Sequence, residues 1–106
     1  MAAENEFLKL WDVSGGFISQ EDSEIVGGLG LDAEGKLHVV ASETEVADRT
    51  LEEVCERVNR MNTFHVRKVA NTAYVYGRKD EGFIEALEYY LVNQEFLTLS
   101  PFEGEL

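Results

Sequence analysis

The stretch from Phe83 to Leu91 constrains this chain most. Phe83, Ala86, Leu87, Tyr90 and Leu91 recur at i, i+3, i+4, i+7 and i+8, which places all five on one stripe of a helix. A helix with such a stripe must bury it against another element. Asp80 is the expected N-cap, with Glu81 in the first turn where the helix dipole favours a negative charge. Glu81, Glu85 and Glu88 mark the side expected to face solvent. A second stripe precedes it: Leu51, Val54, Cys55, Val58 and Met61 predict a helix starting at Thr44 or Thr50 and ending near Met61. Thr50 with Glu53, or Ser42 with Glu45, has the spacing of a capping box. The opposite side of this helix carries Glu45, Asp48, Glu52, Glu53 and Glu56.

Between and before the helices the period changes to that of strands. Residues 24–31 and 36–41 flank Asp32-Ala33-Glu34-Gly35, whose Asp start and Gly end suit a hairpin loop with one left-handed position. Gly27, Gly28 and Gly30 lie within the first of these strands. Neither a Lys-Ser/Thr pair nor a helix follows them, so a bulged strand is expected here, not a phosphate-binding loop. A second hairpin is expected over residues 63–70 and 73–79, turning at Asn71-Thr72. A two-residue loop there pairs Val69 with Tyr74, Arg67 with Tyr76 and His65 with Arg78. Alternation then sends His65, Arg67, Tyr74, Tyr76 and Arg78 to one sheet face and Phe64, Val66 and Val75 to the other. Phe96-Leu97-Thr98-Leu99 reads as a last short strand stopped by Ser100-Pro101, followed by a frayed tail from Phe102. Residues 1–23 read equally as helix or strand, either flexible or folded over the sheet.

The whole is expected to be one α+β domain, a two-layer sandwich in which an antiparallel sheet of four to five strands carries two helices on one face. From Lys36 onward the order strand, helix, strand, strand, helix, strand resembles the ferredoxin-like plait. A ββαββα arrangement of two hairpins, each followed by a helix, is the alternative. Hydrophobic residues make up 44% of the 106, enough for a core without a staple. Cys55 is the only cysteine, so no internal disulfide can form and a cytoplasmic setting is expected. No apolar run approaches the roughly 20 residues that cross a bilayer, and no membrane partner is expected.

Charge divides the chain. Formal net charge is -12, yet between Arg57 and Lys79 lie six of the nine basic side chains and none of the 21 acidic ones. An overall field of this sign repels nucleic acid and favours encounter with basic proteins. The acidic faces formed by Glu45, Asp48, Glu52 and Glu56 and by Glu81, Glu85 and Glu88 are therefore the first candidate site. Their function is expected to be non-catalytic binding, with regulation or inhibition of a basic macromolecular partner. In charge alone this resembles immunity-type and phage-type inhibitor proteins. The alternative site is the sheet face of His65, Arg67, Tyr74, Tyr76 and Arg78, where Tyr74-Val75-Tyr76 with Arg67 and Arg78 resembles the third strand of an RNA-recognition motif. That resemblance implies single-stranded nucleic-acid binding, which the net charge opposes. A homodimer through the same face is a third arrangement, and in size, acidity and α+β content the chain is similar to dimeric secretion-type chaperones. His38 and His65 lack partners at metal-ligand spacing, and no nucleotide or acyl-transfer motif appears, so neither metal, cofactor nor catalysis is expected.

Overall fold

The structure, a computed structural model, describes residues 7–15, 25–69 and 72–103, with the backbone alone at 67–69 and 72–73. It is an α+β fold with the order β1 (Phe7–Ser14), β2 (Ile25–Asp32), β3 (Leu37–Ser42), α1 (Glu45–Arg60), β4 (Thr63–Val69), β5 (Thr72–Gly77), α2 (Phe83–Asn93) and β6 (Thr98–Pro101). Four strands form an antiparallel sheet in the order β3-β2-β1-β6, and β4 and β5 form a hairpin of their own. The ambiguous N-terminal stretch is thus a strand over residues 7–14, and a central one.

The first hairpin forms as its loop residues dictate. Gly35 adopts φ +84, a conformation that L side chains rarely take. Asp32 Oδ1 accepts the backbone N–H groups of Glu34 and Lys36, each at 2.9 Å. Burial works against the charge of Asp32, but hydrogen bonds from His38, Lys36 and Glu34 outweigh it and hold the carboxyl below its usual range. The glycines of β2 are a packing device. The β2–β3 register shift opposite Gly28 and Leu29 leaves Val40 of β3 as the extra residue, and a Cβ on Gly28 or Gly30 would come within 2.9 Å of the Phe102 ring or 2.8 Å of the Phe7 ring.

The plait order is not what forms. In a plait the last strand lies beside the strand that precedes the first helix, whereas here β6 pairs with β1 and β3 is an edge. Two local interactions exclude the plait. A short hairpin loop gives one side of β3 to β2 at little closure entropy. On the other side, the Asn59 side-chain amide of α1 accepts from Leu37 N at 2.9 Å and donates to Leu37 O at 3.0 Å, filling the place of a neighbouring strand.

Both helix stripes are buried as their spacing predicts. Leu51, Val54 and Val58 of α1 and Ala86, Leu87 and Leu91 of α2 share one core with Trp11, Val13, Leu29 and Leu31 of the sheet. The start of α1 is the earlier of the two expected, whereas that of α2 differs from expectation. Thr44 caps α1, its Oγ1 accepting from Ala47 N at 3.0 Å, which lets the helix begin at Glu45 and bury Ala47. Asp80 does not cap α2. Its carboxylate accepts from Gly77 N at 2.6 Å, closing the turn after β5, and Gly82 precedes the helix without a side-chain cap. At the C-terminal end Phe96 is not in a strand: it stands at φ 60 and is 72% exposed. Thr98 to Pro101 pairs with β1 instead, and Pro101 is tolerated because β6 is an edge strand.

Candidate interaction site

Helix α1 presents Glu45, Asp48, Glu52, Glu53 and Glu56 to solvent, all exposed. Thr44 and the buried stripe hold the helix, so these carboxylates occupy fixed positions. Neighbours on the face lie three or four residues apart, roughly 5 to 6 Å between Cβ atoms. No ion pair joins any of them to a described residue; Asp48 alone has a side-chain contact, a 3.4 Å hydrogen bond from Ser42 Oγ.

The acidic residues of α2 divide. Glu81 and Glu85 are exposed, Glu81 in the turn before the helix. Glu88, expected on the solvent side, is turned toward the sheet: its Oε2 accepts from the Trp11 indole Nε1 at 2.6 Å and lies 2.7 Å from Lys9 Nζ. The cause is α2's position against the end of the sheet, which brings β1 beneath that side of the helix.

The basic residues are brought together far less than the chain suggests. The β4–β5 register is offset from the expected one: His65 pairs with Val75, Phe64 with Tyr76, Val66 with Tyr74 and Arg67 with Ala73. One extra residue explains the changed faces. Val69 pairs with Thr72, so the connection is one position earlier than expected, a shift that by itself keeps every side chain on its face. A bulge at Lys68 then adds one residue to β4 alone and reverses the alternation. Tyr74 and Tyr76 consequently share a face with Phe64 and Val66, while His65 and Val75 occupy the other. Tyr76 packs on the core and Val75 is 52% exposed. Asn71 and the side chain of Arg67 lie outside the described residues.

Arg78 leaves the expected face altogether. Its guanidinium donates to Gly35 O at 2.5 Å, to Met61 O at 2.7 Å and to Val58 O, and it stacks over Phe64 and Phe83 at 5.7 and 5.8 Å. Burial lowers its proton affinity. Arg78 therefore fastens the end of α1 to the first hairpin loop, where carbonyls left over at a helix C-terminus need donors. Arg57 is likewise occupied. Its guanidinium donates to both Glu95 oxygens at 2.9 and 2.8 Å, and Tyr90 Oη donates to Glu95 Oε2 at 2.5 Å. Burial opposes the charge of Glu95, but the hydrogen bonds from Arg57 and Tyr90 keep its pKa low. Burial first, and then Glu95, push the Tyr90 phenol up to about 12.

His38 contacts a carboxylate after all, with Nε2 2.7 Å from Asp32 Oδ2. Among the described residues no three His, Cys, Asp or Glu side chains gather as a metal site, and no helix is long and apolar enough to cross a membrane. Cys55 is buried, and burial followed by Glu52 pushes its thiol up to about 12. It is not poised as a nucleophile.

A further feature belongs to the region that sequence reasoning left open. A groove of about 490 Å³ lies between β1, α2 and the end of β6, walled by Trp11, Glu88, Val92 and Phe102. The signal for it was Trp11, the only tryptophan, inside a strand that pairs with the far end of the chain, Trp11 itself opposite Pro101. No family model, curated protein or solved structure matches the chain.

Proposed function

We propose that this chain is a non-catalytic binding protein that engages a basic macromolecule, and regulates or inhibits it, through the outer face of α1. The observation that carries the reading is the row Glu45, Asp48, Glu52 and Glu56, exposed on one rigid helix and joined by ion pairs to no described residue. Elsewhere the carboxylates of Asp32, Glu88 and Glu95 contact a basic side chain of the same chain. Glu81 and Glu85 extend the acidic surface, whereas Glu88 belongs to the fold. A single buried cysteine and the net charge of -12 fit action on a basic protein in the cytoplasm.

The test is capture. Immobilised protein is incubated with lysate at low salt, and bound basic proteins are identified with and without the double reversal Glu52→Lys, Glu56→Lys. A specific basic partner should be recovered with the wild-type chain and lost, at least tenfold, with the reversal. Equal recovery by both would sink the proposal.

A further inference from the structure

The C-terminal end of α2 opens the uncharged part of a highly charged molecule. Between Leu91 and Phe102 the chain carries one charged side chain, Glu95, in a protein of net charge -12. Arg57 holds both oxygens of that carboxylate, at 2.9 and 2.8 Å. Two copies of a chain with this charge repel each other at long range, and this is a surface on which they can approach without like charges meeting.

A knob stands on it. Leu97 N donates to Leu91 O at 3.1 Å, the six-to-one bond of a Schellman turn, and this puts Phe96 in the left-handed position that glycine usually takes. At 72% its side chain is the most exposed large hydrophobic of the described residues. Phe96 makes no ring contact with a described residue and takes no part in the core. The turn needs the backbone conformation and not the ring. Beside the knob is a hole. The groove takes five of its nine lining residues from the same uncharged stretch: Val92, one turn before Phe96 and 44% exposed, and residues 99–102 just after it. Lys9 and Glu88, the two charged residues in its lining, lie 2.7 Å apart and satisfy one another, so the occupant that fits is uncharged. Its volume of about 490 Å³ is ample for one aromatic side chain, since a void of about 150 Å³ already holds a benzene ring.

We propose that two copies of this chain associate about a two-fold axis at the end of α2, with the Phe96 ring of each seated in the groove of the other. Knob and groove belong to one patch, so a single rotation satisfies both and the assembly closes as a dimer. An aromatic anchor in an apolar pocket, with the neutral and exposed Asn93, Gln94 and Thr98 close to it in sequence, has the make-up of an interface centre, from which charged residues are depleted. This contact is separate from the role given to the α1 face.

Sedimentation of the full chain over a concentration series tests the dimer. A dimer is expected that dissociates on dilution and is no weaker in half-molar salt, because an apolar contact is not screened. Phe96→Gly removes the ring but suits the left-handed turn. It should therefore be at least as stable as wild type in urea, while its dissociation constant for self-association rises at least tenfold. Val92→Arg, at an exposed position and with folding checked by circular dichroism, should raise that constant at least tenfold as well. Mixing the two variants leaves one of the two ring-and-groove contacts intact, so the mixture should associate more tightly than either variant alone. A chain monomeric up to millimolar concentration, a dimer lost in half-molar salt, a dimer indifferent to Phe96→Gly or to Val92→Arg, or a mixture no tighter than its components would each overturn the proposal. A monomeric wild type that loses its captured basic protein on Phe96→Gly would overturn it too, by giving the ring to that partner.

Discussion

Helix α1 has two charged regions that a residue count treats alike. Its outer face carries five carboxylates, and its C-terminal end carries Arg57 and Arg60 with Arg78 nearby. The structure separates them by what they touch. The carboxylates of the outer face form no ion pair with a described residue, whereas Arg57 is held by Glu95 and Arg78 by three backbone carbonyls and two rings. A local excess of charge is thus not a surface charge until its partners are known. Arg57 and Arg78 serve the protein's own carboxylate and backbone; the acidic face forms no ion pair with a described residue.

The largest effect that can break this comparison is at Arg78. Arg78→Met keeps the apolar stem over Phe64 and Phe83 but removes the donors to Gly35, Val58 and Met61. Hydrogen bonds from charged donors contribute about 1.5 to 3 kcal/mol each in net terms, and they are not additive, so a loss of about 3 kcal/mol is expected in urea unfolding. Arg78→Lys should recover only a small part, because an ammonium cannot reproduce the planar fork. A loss below about 1 kcal/mol would make Arg78 surface charge, and the contrast with the acidic face would disappear.

Glu95 gives a smaller effect with a signature in pH. Glu95→Gln removes the charge that Arg57 and Tyr90 both address and should cost about 1.5 kcal/mol at neutral pH. The folded-state pKa of Glu95 lies below the ordinary 4.5, so its stabilisation is present above that value and is lost as pH falls through the folded pKa. The gap between wild type and variant should therefore be constant near neutrality and close in acid. Tyr90 acts in the opposite sense: with its phenol pushed up to about 12 from 10.0, its contribution is complete below pH 10 and is lost between 10 and 12. A gap that did not narrow at all as the pH is taken down into acid would show that Glu95 acts by shape and not by charge.

What the sequence made legible was the part written in local pattern. The helix stripes, the Asp32–Gly35 loop and the exposed row on α1 follow from spacing within about a dozen residues, and the structure has them. The face of the second hairpin was not legible, because one bulged residue at Lys68 reverses it and a bulge leaves no mark in composition. The position of β6 was hidden for another reason. Which edge a last strand joins depends on which edges are already filled, and Asn59 fills that of β3 from a helix. Glu88 shows the same limit in one side chain: helical spacing marks its side of α2 as exposed, but only the placement of β1 shows that Trp11 and Lys9 lie beneath it.

The smallest expected effect on stability is the one that most sharpens the comparison. Glu52 and Glu56 are one turn apart, and like charges at i, i+4 destabilise a helix by about 0.2 to 0.5 kcal/mol. The double reversal to lysine replaces one like pair by another; it sets cations one turn from Asp48 and Glu53, and equally one turn from Arg49 and Arg60. Stability should change by less than about 0.5 kcal/mol at low salt, with any difference fading in half-molar salt as screening shortens the range of exposed charges. Thermal unfolding at the two salt concentrations measures this. A protein as stable as wild type that has lost its partner would show that the α1 carboxylates serve recognition and not folding. A loss above about 1 kcal/mol would instead put them with Glu95 and Arg78, as charges the fold itself requires.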